Sequence, residues 1–96
     1  MANSYNNIGT VLEAQGDFKG AKEVYEKALE IQIACLGTEN HTSIALNYRN
    51  LGDVYLALKQ LQQAKEHYTK AKQIYQQFVG DKYDKFYDGK IRACQE

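Results

Sequence analysis

Histidine and cysteine are the residues of this 96-residue chain that most often act in catalysis or bind metals. Their positions in the sequence match no known arrangement for either role. His41 and His67 have no Cys, Ser or carboxylate arrangement nearby that would form a nucleophile, an acid–base pair or a metal site. Cys35 and Cys94 are far apart and lack the spacing of metal ligands. A bridge between them is possible in principle, but we expect reduced thiols that serve as packing residues. The sequence therefore predicts no enzyme, no metal and no cofactor.

The eight tyrosines could offer rings on which nucleic-acid bases stack. Helical spacing places most of them inward, however, and 12 basic residues balance 12 acidic ones, so no net charge attracts phosphates. The sequence thus disfavours nucleic acid and anionic membranes as partners. No apolar run approaches the roughly 20 residues that cross a bilayer, and the N-terminus does not resemble a signal peptide. We expect a cytoplasmic protein.

Composition and length predict one all-α domain over residues 1–96. The chain has no proline and seven glycines, which favours helix over a turn-rich β architecture. Compared with itself at an offset of 43, the sequence pairs residues 2–37 with 45–80 and gives 14 identities in 36 positions. Chance would give about two or three. The sequence therefore contains two copies of one unit, repeat 1 over 2–37 and repeat 2 over 45–80.

Each unit is predicted to be a hairpin of two helices, which we call the first and the second helix of the repeat. Apolar residues recur every three or four positions before and after a short segment that breaks this periodicity. In repeat 1 the break contains Gly16 and Asp17, a helix-ending glycine and a capping aspartate. In repeat 2 the break is Leu58-Lys59-Gln60, where we expect the same geometry to be held by packing. Glycines at 37 and 80 are predicted to end the second helices. A fifth helix is predicted over 83–95, as the start of a third repeat or as a cap.

Both units carry the same order of aromatic, aliphatic, small and bulky residues. The positions are Tyr5, Ile8, Gly9, Leu12, Ala21, Tyr25 and Ala28 in repeat 1, and Tyr48, Leu51, Gly52, Tyr55, Ala64, Tyr68 and Ala71 in repeat 2. This pattern resembles the tetratricopeptide repeat. The resemblance implies an α-solenoid of antiparallel hairpins, in which glycine and alanine lie where two helices cross most closely.

Two departures from the standard repeat suggest a subtype. The period is 43 residues, against about 34 in the standard repeat, and no proline closes the unit. Together with the connector 36–41 and the paired Asn6 and Asn7, this is similar to the longer repeat of kinesin light chains.

The resemblance implies a non-catalytic protein–protein interaction module. Its first helices would line a concave face that holds a peptide segment of a partner, since family members generally bind peptides there. Asparagine suits this role because its amide both donates and accepts hydrogen bonds. The outward residues of the predicted first helices are Asn3, Asn6, Asn7, Thr10 and Glu13, then Leu46, Arg49, Asn50, Asp53 and Leu56, with Arg92 added by the fifth helix.

Alternative interpretations of these residues remain open. The asparagines could instead stabilise the stack, and Arg49 with Asp53 could form an exposed ion pair four residues apart. A clamp for a C-terminal carboxylate is disfavoured, because Asn6 stands where the family's clamp would have lysine.

The ends of the repeat suggest a second function. No capping helix precedes repeat 1, and the fifth helix is expected to leave Phe86, Tyr87 and Ile91 uncovered. The chain could therefore be an excerpt of a longer array or a scaffold that self-associates through its ends as a homo-oligomer.

Overall fold

The computed structural model of the chain describes residues 2–37 and 41–94, and this part of the chain contains helices and no strand. Each helix packs against the next one along the chain. The prediction of an all-α fold with two hairpins and a fifth helix is confirmed. The helices are α1 (Ala2–Ala14), α2 (Phe18–Leu36), α3 (Thr42–Ala57), α4 (Leu61–Val79) and α5 (Asp84–Ala93).

Two boundaries differ from the sequence prediction. Helix α3 begins at Thr42, before the predicted start of repeat 2 at residue 45, because His41 caps it by accepting the Ser43 N–H at 3.1 Å. Helix α5 is shorter than the predicted 83–95, and Gln95 lies outside the described residues. Within 2–37 and 41–94, none of the helices combines the length and the apolar character that a bilayer crossing requires.

The two hairpin turns have the same geometry despite different residues. Gly16 has φ 83°, and Lys59, its counterpart 43 residues on, has φ 62°. The Asp17 N–H donates to Leu12 O at 2.8 Å, and the Gln60 N–H donates to Tyr55 O at the same distance. Asp17 also accepts the Gly20 N–H at 3.0 Å, whereas the Gln60 side chain caps nothing in α4. The second turn therefore lacks a side-chain cap and is held by its backbone hydrogen bonds and by packing of Leu58 and Leu61 against the core, at a cost of about 1 kcal/mol for the left-handed lysine.

The second helices end at the predicted glycines. Gly37 and Gly80 have φ 68° and 66°, and their N–H groups donate to Ile33 O and Gln76 O. A positive φ is easily adopted only by glycine, so these positions stop the helix as expected.

The closest helix crossings lie within the hairpins and are occupied by small residues, as predicted. A Cβ built on Gly9 would lie 2.6 Å from the Tyr25 ring, and one built on Gly52 would lie 2.8 Å from the Tyr68 ring. Both tyrosines are buried. Four alanines of the second helices are also fully buried: Ala21, Ala28, Ala64 and Ala71.

The two hairpins pack through α2 and α3, and this contact explains an exposed strip on α1. Leu51 and Val54 of α3 are completely buried. Their counterparts on α1, Ile8 and Val11, are 50% and 55% exposed. Ile8 and Val11 are exposed because, within the described residues, no helix of a neighbouring hairpin covers this side of α1.

Helix α5 packs on α4, and one of the three residues expected to be uncovered is buried. Tyr87 is 2% exposed, whereas Phe86 is 45% exposed, as expected, and Ile91 is half-buried. The offset of 43 pairs Tyr87 with Ile44 and Cys94 with Leu51, and all four are buried. Helix α5 therefore occupies the place of a third first helix.

Two ion pairs fix the position of α5. Lys72 Nζ lies 2.6 Å from Asp88 Oδ1, joining α4 to α5. Lys90 Nζ lies 3.5 Å from Asp53 Oδ1, joining α5 to α3. Helix α5 is thus linked to both α3 and α4, the two helices of the second hairpin.

Substitution of Gly52 by Ala tests the close crossing. Because the added Cβ would overlap the buried Tyr68 ring, we expect the free energy of unfolding to fall by about 1–3 kcal/mol. Urea unfolding followed by circular dichroism measures this change.

The matched control for this experiment is Gly89→Ala in α5, where a Cβ meets nothing within 4 Å. That variant should keep its stability or gain about 0.5–1 kcal/mol, because alanine favours helix. Equal stability changes in the two variants would contradict the role of Gly52.

Candidate functional site

The residues singled out from the sequence for peptide binding lie on α1, α3 and α5, the three helices that share one register. We call this set the first-helix face. Its residues are Asn6, Asn7 and Thr10 on α1, Leu46, Arg49, Asn50 and Asp53 on α3, and Arg92 on α5. Asn7, Thr10, Leu46 and Arg92 are exposed, and the other four are half-buried. Asn3 belongs to α1, but its side chain lies outside the described part of the chain.

Two residues of the first-helix face are engaged by core tyrosines. Thr10 Oγ1 lies 3.2 Å from the Tyr25 hydroxyl, which donates to Glu13 Oε1 at 2.5 Å. At the equivalent place in repeat 2, the Tyr68 hydroxyl donates to the Asp53 carboxylate. These contacts anchor the tyrosines that cross the glycines, so Thr10 and Asp53 contribute to the fold as well as to the surface.

The tyrosine hydroxyls remain donors at neutral pH. Burial, with a hydrogen bond to the Glu13 carboxylate as the next cause, raises the pKa of Tyr25 to about 12. Burial and the hydrogen bond to Asp53 raise the pKa of Tyr68 as well. The neutral phenol is therefore the form present in both hairpins.

Asn6 and Arg49 occupy equivalent positions and share an unusual feature. Among the side chains that the structure describes, three buried polar atoms have no hydrogen-bond partner, and two of them are Asn6 Oδ1 and Arg49 Nε. The third is Oδ1 of Asn47, a fully buried residue whose amide donates to Gln32 Oε1 of α2. Since buried polar groups are nearly always paired in proteins, the repeated gap at one register position requires an explanation.

The predicted ion pair between Arg49 and Asp53 does not form. The Asp53 carboxylate accepts the Tyr68 hydroxyl and lies 3.5 Å from Lys90 Nζ. Among the described residues, no carboxylate comes within ion-pair distance of the Arg49 guanidinium. The guanidinium is therefore left for another acceptor.

A pocket of about 150 Å³ lies against Arg49 and is otherwise lined by aromatic rings from α4 and α5. The ring centroids of Tyr75 and Tyr83 are 5.0 Å apart, those of Tyr75 and Tyr87 are 5.8 Å apart, and those of Tyr87 and Phe86 are 5.0 Å apart. Four rings thus form a continuous row. We call this site the Arg49 pocket, lined by Arg49, Tyr75, Tyr83, Phe86 and Tyr87.

Sequence reasoning selected Arg49 but missed the rings around it and the buried Asn47. Extending the offset of 43 beyond residue 80 would have found part of this, because it places Tyr87 in register with the core residue Ile44. No comparable signal marks Asn47, whose counterpart in repeat 1 is Ser4.

The histidines and cysteines lie in ordinary packing or surface positions. His67 is half-buried, with its ring centroid 4.9 Å from that of Tyr55 and 5.7 Å from that of Tyr48. Cys35 is exposed, Cys94 is buried, and both are free thiols. Across 2–37 and 41–94, no group of three His, Cys, Asp or Glu side chains is arranged to hold a metal ion.

Comparison with known proteins gives one family match. The model of the family described as Tetratricopeptide repeat matches residues 1–77, which cover α1 to α3 and most of α4. A search of curated proteins finds no match. The similarity to the longer repeat of kinesin light chains stays a prediction.

Proposed function

The chain belongs to the tetratricopeptide repeat family, and we propose that it holds a peptide segment of a partner protein on the first-helix face. Repeats of this family generally mediate protein–protein interaction and are typically non-catalytic. The proposal adds the place of binding and the form of the partner.

The unpaired atoms at the shared register position of Asn6 and Arg49 support the proposal most strongly. Asn6 Oδ1 can accept one hydrogen bond, and Arg49 Nε can donate one. A peptide backbone offers both donors and acceptors along its length, so a bound segment can satisfy both atoms once the two half-buried side chains turn towards it. Leaving such a group unpaired costs about 1–3 kcal/mol, which binding would recover.

Asn7 and Asn50 form a second matched pair on this face. They are identical at the offset of 43, with Asn7 exposed and Asn50 half-buried. Each amide carries both donor and acceptor groups that can bond to a peptide backbone. A ladder of asparagines at the repeat spacing therefore fits a partner that runs across the hairpins.

Replacement of Asn7 and Asn50 by Ala tests this face. We expect the double variant to bind peptides selected on the wild-type chain at least tenfold more weakly, because two or more hydrogen bonds are lost. The probe is a random peptide library displayed on phage, with affinities then measured by fluorescence polarisation.

The control replaces two exposed amides of the second helix α4, Gln73 and Gln77, by Ala. This variant should bind like the wild type, and all three proteins should unfold at the same urea concentration. Unchanged affinity in the asparagine variant would remove the first-helix face from the binding site.

Self-association is a second candidate function, favoured by the exposed strip of Ile8 and Val11. In repeat 2 the equivalent residues Leu51 and Val54 are fully buried on α3, which packs on α2, so the strip has the composition of an internal helix contact. A helix from a second copy of the chain could cover it. Such a contact joins two different surfaces and would build open assemblies.

The variant Ile8→Glu with Val11→Glu tests self-association. We expect the wild type to form oligomers at high micromolar concentration and the variant to stay monomeric, because buried carboxylates would oppose the contact. Sedimentation velocity measures the masses, with Ala14→Glu on the same helix as the control that keeps the apolar strip. A strictly monomeric wild type would exclude this function.

A further inference from the structure

We infer that the Arg49 pocket binds the carboxylate side chain of an Asp or Glu residue in the partner peptide. This inference rests on the proposed peptide binding and specifies which chemistry the face selects. It makes α5 part of the binding site, because three of the five lining residues come from its start and first turns.

The guanidinium of Arg49 supplies the attraction. Its Nε is buried and has no hydrogen-bond partner among the described residues. Two of the three acids of α3 and α5 are already engaged, because Asp53 bonds to Tyr68 and Lys90, and Asp88 pairs with Lys72. A carboxylate from another chain is the acceptor that matches a guanidinium best, since it can take two parallel N–H bonds.

Asp84, the remaining acid at the start of α5, is also occupied. Its two carboxylate oxygens accept hydrogen bonds from Gln76 Nε2 at 3.1 and 3.2 Å. Two lysines lie above rings of the pocket, and one of them, Lys90, also faces Asp53. Lys82 lies 5.5 Å from the Tyr83 ring centroid, and Lys90 lies 5.5 Å from the Phe86 ring centroid.

The aromatic row suits the carbon stem of an acidic side chain. Rings at centroid distances of 5.0–5.8 Å give an apolar wall against which methylene groups can pack. Tyr75 and Tyr87 keep their protons, because burial raises the pKa of both hydroxyls. Neutral phenols therefore add no negative charge that would oppose a carboxylate.

The size and lining of the pocket favour a side-chain carboxylate over other anions. A volume of about 150 Å³ holds one side chain, and Arg49 is the one cation among the lining residues. A phosphate group is usually held by several cations or backbone N–H groups, which this lining does not offer. A chain terminus is not required, because an internal Asp or Glu can enter the pocket while the peptide continues on either side.

The test begins with C-terminally amidated peptides selected on the wild-type chain, so that each carboxylate belongs to a side chain. We expect the selected peptides to contain Asp or Glu, and replacement of that residue by its amide to weaken binding about tenfold or more. Arg49→Gln should weaken binding of the acidic peptide by a similar factor and should leave the amide peptide almost unaffected. The control Lys27→Gln removes one exposed positive charge from α2 and should bind like the wild type.

Circular dichroism and urea unfolding establish that Arg49→Gln keeps the fold. If it does not, Phe86→Ala tests the apolar wall instead, because Phe86 lines the pocket and is 45% exposed. That variant should weaken the acidic and the amide peptide by similar factors, because both carry the same carbon stem. The comparison of acidic and amide peptides on the wild-type chain needs no variant at all.

The possible failures are distinguishable. Peptides that bind equally well with the acid or its amide would overturn the inference and leave peptide binding on the first-helix face intact. Binding that requires a free C-terminal carboxylate would also overturn it, in favour of a terminal clamp. Absence of peptide binding up to about 1 mM would overturn both the inference and the proposed function.

Discussion

The contact between a glycine of the first helix and a tyrosine of the second helix is the constraint on which this structure depends. At Gly9 and Gly52 the helices approach so closely that one added carbon would overlap the ring of Tyr25 or Tyr68. The ring lies across the glycine, and its hydroxyl reaches the polar residue that follows the glycine on the first helix, Thr10 in repeat 1. The same contact therefore closes the hairpin and orients part of its polar surface.

This arrangement divides the polar residues of the first helices into two groups with different roles. Asp53, like Thr10, is bound to a buried tyrosine hydroxyl and contributes to the fold. Asn6 and Arg49, one turn earlier, have buried polar atoms with no partner among the described residues. An isolated unsatisfied group can be tolerated, but its repetition at equivalent positions indicates a feature of the surface. The proposed partner peptide gives these groups the hydrogen bonds that the chain itself does not supply.

The hairpins could be predicted from the sequence because they depend on local periodicity and on residue size. Gly52 illustrates this, because a small residue at a fixed sequence separation from a tyrosine implies a close crossing of the two helices in each repeat. Packing at the ends of the stack was harder to predict. Phe86 and Tyr87 are adjacent aromatic residues, so periodicity alone did not determine which one faces α4. The exposure of Ile8 and the burial of Asn47 depend on the presence of a neighbouring hairpin, which the pattern within one unit does not encode.

The most direct test of the central contact is a nuclear Overhauser measurement on the protein in solution. The account predicts strong cross-peaks between the Gly52 Hα protons and the Tyr68 ring protons, and equally between Gly9 Hα and the Tyr25 ring. Both glycine signals should also be shifted by the aromatic ring that lies over them. Absence of these cross-peaks in a folded, helical chain would contradict the account, because the hairpins would then be held together by some other contact.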